Sequence, residues 1–279
     1  MKCLKKKLVL IILYYIILFN NMISNLNLLN TNLNLLITKL NLLNTNLNTK
    51  KFDNIKSKNI LIVYSCFNPP LCLVTSIQSV YNLQIKNDNT HNYEILCIDN
   101  GSSITTTYNI INKQFSLVKF VYANNKNFEW GAYKYALENF NNYDIYICLQ
   151  DTNILKKKLD LHMITNGRVG IAFHKSGFNS HKTLINSDSF HRIMKNIDIN
   201  AKNIMLYNTN FCIAQHNIFV ITKLDLQDLF KTLENPPIIK LDSNFYERLF
   251  GMYFISKQIK TIDIQPNIKK IPRDQRYFK

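Results

Sequence analysis

Short apolar runs bounded by polar or turn-forming residues dominate the middle of the chain. The most regular runs lie at 59–65, 93–99 and 144–151. Weaker runs that also predict strands lie at 168–174, 211–216 and 218–221. Runs of this kind are typical of strands that are covered on both faces. Helical patterns separate several of them, and this alternation predicts an α/β fold with a mostly parallel central sheet flanked by helices.

Polar residues follow the regular runs where the predicted strands end. Ser65 ends the first run, Asp99 the second and Asp151 the third. Ligands of open α/β sheets bind beyond the carboxyl ends of the strands. The sequence therefore predicts that two strands bring two carboxylates to one ligand-binding edge.

The N-terminus has the pattern of a membrane anchor. Lysines between Lys2 and Lys7 precede an unbroken apolar run at 8–19. The run is shorter than the roughly 20 residues of a typical transmembrane helix and resembles a signal-peptide core, but no small-residue cleavage site follows it. The charge asymmetry predicts that residues 1–24 are a cytoplasmic tail and uncleaved signal anchor of a single-pass type II membrane protein with a lumenal domain. A cleaved peptide and a secreted protein are the alternative.

A leucine stripe follows the anchor within residues 25–55. The leucines alternate steps of three and four residues, at Leu26, Leu29, Leu33, Leu36, Leu40, Leu43 and Leu47. This spacing keeps one stripe facing a partner helix, so it predicts a coiled-coil stalk that forms a homo-oligomer. Low-complexity sequence is the alternative, because the intervening Asn and Thr residues are poor helix formers.

Composition places one globular domain at 56–279. The chain has 279 residues, of which 47% are hydrophobic, and this is enough for one sizeable core. The net charge of +16 permits nucleic-acid binding. The basic residues are dispersed and no nucleic-acid motif is present, so we predict no nucleic-acid partner. The cysteines show no zinc-site spacing, and those in strand patterns are predicted to be buried and free.

Four segments in this order resemble a known family. They are the strand leading into 65–68, the turn at 99–103, the stretch 124–136 with Trp130-Gly131-Ala132, and the segment 149–153. Together they resemble the nucleotide-binding half of GT-A glycosyltransferases, especially the large inverting family-2-like group. The resemblance implies a Rossmann-like GT-A fold. It also implies transfer of a sugar from a nucleotide-sugar donor to a glycan or protein acceptor, with inversion.

The resemblance assigns five residues to the donor. Ser65 and Asp99 would contact the nucleoside, and Asn100 and Gly101 would complete the turn beside it. Gly131 would let the sugar-phosphate approach the start of a helix, where the N-terminus favours an anion. For Asp99 the alternative is a local Asx turn or helix cap, because Asp-Asn-Gly-Ser is favourable turn chemistry.

The resemblance also implies a metal ion. Family members hold Mn²⁺ or Mg²⁺ with a DxD-type motif at the strand end that carries Asp151 here, and the ion neutralises the departing nucleotide. This chain reads Gln150-Asp151-Thr152-Asn153, so Asp151 and Asn153 are the predicted ligands. One carboxylate among amides holds less charge than the family motif. The alternative is that Asp151 caps the following turn and metal dependence is lost.

The acceptor side is predicted from a late helix that starts near Asp242. The resemblance implies that a carboxylate there removes the proton of the acceptor hydroxyl, and Glu247 and Asp242 are the candidates. Asp242 as a helix cap and a surface pair of Glu247 with Arg248 are the alternatives. Scattered histidines, His216 among them, are possible phosphate or metal contacts or ordinary structural residues.

Two other functions fit parts of this pattern. A catalytically inactive GT-A-like binding or scaffold protein on a membrane stalk is the main alternative, and the incomplete metal motif favours it. A nucleotidyltransferase would need a glycine-rich, lysine-bearing loop after Ser65, and the sequence has none.

Overall fold

The computed structural model of the protein describes residues 57–123, 127–172, 188–195 and 213–271. All of them belong to the unit Ser57–Lys279. The predicted anchor at 1–24 and stalk at 25–55 lie outside the described residues. Within the described part of the chain, no helix combines the length and the apolar character needed to cross a membrane.

Strands and helices alternate along most of the described chain. The strands are β1 (Asn59–Cys66), β2 (Asn92–Asp99), β3 (Val118–Tyr122), β4 (Ile145–Gln150), β5 (Asn153–Leu155), β6 (Arg168–Ile171), β7 (Phe219–Thr222), β8 (Lys260–Asp263) and β9 (Ile268–Lys270). The α-helices are α1 (Cys72–Val80), α2 (Thr106–Gln114), α3 (Phe128–Asn139), α4 (Asp188–Met194), α5 (Lys223–Thr232) and α6 (Lys240–Ser256). A π-helical turn, Tyr81–Ile85, extends α1, and short 3₁₀ turns lie at Leu161–Met163, Gln215–Asn217 and Gln265–Asn267.

The main sheet has the strand order β3-β2-β1-β4-β7-β6-β8. β1 pairs in parallel with β2 and β4, and β2 pairs in parallel with β3. β7 is antiparallel to both of its neighbours. The predicted mixed α/β fold with a mostly parallel sheet is confirmed. Because the chain passes from β1 outward to β3 and then returns to β4, the strand order reverses between β1 and β4, which creates a topological switch point.

Both faces of the sheet are buried, which explains the unbroken apolar runs. Leu61 and Val63 of β1 belong to a core shared with α3, α5 and α6. Ile60 and Ile62 belong to a second core, shared with α1 and α2. Residues that alternate along a strand face opposite sides, so a strand between two cores must be apolar at every position. The described cysteines in strands are buried and free, as predicted: Cys66, Cys97 and Cys148.

The strand predicted at 211–216 does not form in its described part, residues 213–216. Residues 213 and 214 are irregular, and the chain then makes the 3₁₀ turn Gln215–Asn217 instead of the strand expected at 211–216. His216 and Asn217 have φ values of 56° and 55°, a left-handed conformation that a strand does not contain. The next prediction, a strand at 218–221, is confirmed by β7.

Candidate functional site

The carboxyl ends of β1, β2 and β4 form one polar edge at the switch point. In the strand register, Ser65 lies opposite Gln150 and Cys66 lies opposite Asp99. Asn100 joins this edge because its Nδ2 donates to Ser65 Oγ at 3.1 Å. Its Oδ1 is buried, and none of the residues that the structure describes donates a hydrogen bond to it. A buried acceptor without a partner is rare, so this oxygen is suited to accept a hydrogen bond from a ligand.

The Asp99 carboxylate builds the turn after β2. Its Oδ1 accepts the N–H groups of Gly101 and Ser102 at 2.8 and 2.7 Å, and its Oδ2 accepts the Tyr108 hydroxyl at 2.5 Å. Gly101 has a φ of 95°, a conformation that favours glycine. Asp99 is 2% exposed. Asp99 thus forms the Asx turn of the alternative interpretation. Its carboxylate holds Asn100 at the edge, and its own charge is enclosed within the turn.

The environment of Asp99 makes stability depend on pH. Burial acts to raise the pKa of Asp99, but hydrogen bonds from Ser102, Tyr108 and Gly101 outweigh burial and lower the pKa below its ordinary value of 3.8. A carboxylate with a lowered pKa in the folded state stabilises the protein above the unfolded-state pKa. That stabilisation is lost as the pH falls through the folded-state pKa.

Asp99→Asn is therefore expected to destabilise the protein by about 1.5–3 kcal/mol at pH 7, the usual value of hydrogen bonds to a charged group. The difference from wild type should shrink as the pH falls below about 4. Urea unfolding at a series of pH values between 7 and 3 measures it. A difference that stays constant over this range would show that the Asp99 charge has no part in stability.

The segment that follows β4 does not offer the set of oxygen ligands that a site for a divalent cation needs. Asn153 is 1% exposed, and its Oδ1 accepts the backbone N–H of Gln150 at 2.7 Å. The amide oxygen of Asn153, a predicted metal ligand, is thus engaged inside the turn. Asp151 is left as a single carboxylate. Among the described residues, no three or more His, Cys, Asp or Glu side chains are grouped so that they could hold a metal ion.

Asp151 lies close to the end of β1 and to α3. Burial raises the pKa values of the Cys66 thiol and the Tyr133 hydroxyl, and the Asp151 charge adds to both increases. The carboxylate is half-buried. It therefore lies beside the switch point between β1 and β4, as the strand pattern predicts.

Glu129 is a buried carboxylate at this edge that sequence reasoning missed. It lies in the first turn of α3 and is 9% exposed. Its Oε1 accepts Gln150 Nε2 at 2.5 Å, and its Oε2 accepts Ser243 Oγ at 2.9 Å. A buried charge is unfavourable unless it is hydrogen-bonded, and here the bonds connect α3 to β4 and α6. The signal that could have identified Glu129 is an acidic residue in the first turn of a buried helix.

The turn before β7 brings a second group of side chains to the end of β4. Non-glycine residues rarely adopt positive φ, and such strain is concentrated at functional sites. Here the strained residue His216 lies with its Nδ1 2.9 Å from Lys270 Nζ and 3.7 Å from Glu247 Oε1. Lys270 Nζ also donates to Gln150 Oε1 at 3.1 Å.

These contacts form one continuous group, which we name the switch-point cluster. Its members are Glu129, Gln150, His216, Glu247 and Lys270. His216 Nδ1 and Lys270 Nζ lie within hydrogen-bonding distance of each other. Lys270 and Glu247 therefore both lie close to the His216 ring at the carboxyl end of β4.

The two candidate bases have different environments. Glu247 belongs to the switch-point cluster and its side chain is 22% exposed. Asp242 is 0% exposed. Its Oδ2 accepts the N–H of Ile239 at 3.0 Å and pairs with Arg192. A carboxylate enclosed in this way caps α6, the role that the alternative interpretation gives it.

Two residues of α3 have structural positions. Gly131 is buried, and its N–H donates to Asn127 O at 3.0 Å within the helix, so that amide is not directed at a ligand. Trp130 is also buried, with its Nε1 donating to Leu233 O at 3.1 Å. Its ring packs edge-on against Phe230 with centroids 5.4 Å apart. Both residues therefore belong to the core.

Comparisons with known proteins give a distant structural likeness. No protein-family model and no curated protein sequence matches the chain. Two solved structures of the mannosyltransferase Ktr4p from S. cerevisiae are similar, one of them in complex with GDP, at 13% identity and TM-scores of 0.39 and 0.40. The match covers 72% of this chain and 63% or 62% of theirs. The chain thus spans less than two thirds of those proteins.

Proposed function

We propose that the chain is a GT-A-like glycosyltransferase that transfers a sugar from a nucleotide-sugar donor to a glycan or protein acceptor, with inversion. The observation that carries this proposal is the partly exposed Glu247 carboxylate, held in the switch-point cluster where β4 ends. Ligands of open α/β sheets bind in the crevice at the switch point. A carboxylate held beside that crevice is suited to proton transfer.

Ser65 and Asn100 are the proposed donor contacts. Both lie at the carboxyl edge, and the unpaired Asn100 Oδ1 is an acceptor for a donor group of the nucleoside. Asp99 supports them through its turn. The donor would therefore lie across the ends of β1 and β2, with its diphosphate toward β4.

Glu247 is the proposed general base. As the acceptor oxygen attacks C1 of the donor sugar, its proton passes to Glu247. The bond between C1 and the phosphate oxygen breaks, its electron pair stays on that oxygen, and the nucleoside diphosphate leaves. Attack on the face opposite the leaving group inverts C1. His216 positions the cluster through its contact with Lys270.

The N-terminal segments complete the proposal. Residues 1–24 would anchor the enzyme in a membrane with its catalytic domain on the lumenal side, and residues 25–55 would join copies of the chain. In this arrangement the acceptor glycan or protein is one that passes through the same lumenal compartment.

Nucleotide binding tests the proposal. The full-length protein is expected to be stabilised by UDP or GDP, by about 2.7 kcal/mol at a ligand concentration 100 times the Kd. A melting experiment measures this, with the corresponding nucleosides as controls. The sugar conjugate of the preferred nucleotide should then be consumed slowly by hydrolysis and faster with an acceptor. Binding without any turnover would favour the inactive scaffold, and binding of neither nucleotide would overturn the proposed site.

A further inference from the structure

We propose that the ammonium group of Lys270 takes the place of the divalent cation, so that donor binding and sugar transfer in this chain need no metal ion. The inference rests on the proposed function, and it names the group that binds the donor diphosphate. Lys270 would attract the diphosphate and stabilise the negative charge that develops on the leaving phosphate oxygen.

The position of Lys270 is the first support. β5 and β9 form a small antiparallel sheet in which Asn153 lies directly opposite Lys270. The ammonium is thereby held at the segment 150–153, where the family resemblance puts the metal ion. Its distance of 3.1 Å from Gln150 Oε1 joins it directly to the last residue of β4.

The donor set of the same segment is the second support. The Gln150 side chain, next to Asp151, is held between Lys270 and Glu129. Asn153 Oδ1 is engaged by a backbone N–H. Hard dications prefer several carboxylate and carbonyl oxygens, and an ammonium a few ångströms away would repel a dication. The ammonium itself attracts an anion.

The chemistry of the step requires only a fixed positive charge. When the bond between C1 and the phosphate oxygen breaks, the nucleoside diphosphate gains negative charge, and the acceptor proton goes to Glu247. Lys270 transfers no proton in this step. A lysine ammonium binds phosphate as a compact point charge, and preorganised charges of this kind act most strongly where water is partly excluded.

The comparison of two neighbouring lysines tests the inference. Lys269 lies on the same strand and is exposed, so Lys269→Met is a matched control for Lys270→Met. Binding of UDP, GDP and the corresponding nucleosides to the full-length proteins is measured by calorimetry, once with EDTA and once with Mn²⁺. Wild type is expected to bind its diphosphate with the same affinity, within about twofold, in both buffers.

Lys270→Met is expected to lose about 10- to 100-fold in diphosphate affinity and nothing in nucleoside affinity. Its turnover should fall by a further 10²- to 10³-fold, as on removal of one group that stabilises a developing anion. Lys270→Arg should retain most of the binding, and Lys269→Met should behave as wild type. If Lys270→Met does not fold, Lys270→Gln replaces it in the same comparison.

Each other outcome overturns the inference in a recognisable way. Diphosphate binding that requires Mn²⁺ and disappears in EDTA would assign the charge to a metal ion and leave the proposed function intact. Unchanged diphosphate affinity in the Lys270 variants would also overturn the inference and leave the proposed function intact. Binding of neither nucleotide by wild type, in either buffer, would remove the proposed function and this inference together.

Discussion

Replacing Glu247 with glutamine is expected to lower kcat by about 10²- to 10⁴-fold, the usual contribution of a general base. Nucleotide affinity should stay within about twofold of wild type, because a base acts on the transition state and contributes little to donor binding. Glutamine has the size of glutamate and keeps the contact with His216, but it accepts no proton. Steady-state kinetics with the identified donor, together with calorimetry, separate the two quantities.

A surface variant of the same kind supplies the control for Glu247→Gln. Glu138→Gln is a suitable control, because Glu138 makes a 3.8 Å surface pair with Lys134 on α3. A Glu247→Gln enzyme with near-normal kcat would show that the base is another group or that transfer does not invert C1.

Asp242→Ala is expected to lower the free energy of unfolding by about 3 kcal/mol. The substitution removes the helix cap, usually about 0.5–2 kcal/mol, and the charge-assisted bond with Arg192, about 1.5–3 kcal/mol. The substitution also leaves the backbone N–H groups of Ile238 and Ile239 without the carboxylate oxygen that accepts them. Urea unfolding monitored by circular dichroism measures the change.

The surface variant Glu138→Gln again serves as the control for Asp242→Ala. An exposed ion pair contributes about 0–1 kcal/mol, so this variant should unfold near the wild-type midpoint. If the two variants unfolded alike, the enclosed position of Asp242 would contribute nothing beyond a surface charge. If Asp242→Ala kept its stability but lost turnover, Asp242 would be the base after all.

The sheet was predictable where burial on both faces leaves a clear pattern. β1, β2 and β4 agree closely with the apolar runs because neither face of these strands tolerates polar side chains. The turn before β7 was not predictable. Its residues 213–217 include apolar positions that suggest a strand, but positive φ at His216 and Asn217 depends on contacts made elsewhere in the fold.

The switch-point cluster was only partly predictable for a related reason. Glu247 and the segment at 150–153 follow from the family resemblance, but the contact between Gln150 and Lys270 spans 120 residues. Lys270 is one of 34 Lys and Arg residues in the chain, and its local sequence does not distinguish it. Only the pairing of β9 with β5 identifies it.

The pairing of β9 with β5 also decides when Lys270 can reach its place. A chain is synthesised from its N-terminal end, so β1 to β4 leave the ribosome long before β9. Contacts between residues far apart in sequence form slowly. The contact between Lys270 and Gln150 therefore becomes possible only after nearly all of the described chain has been synthesised.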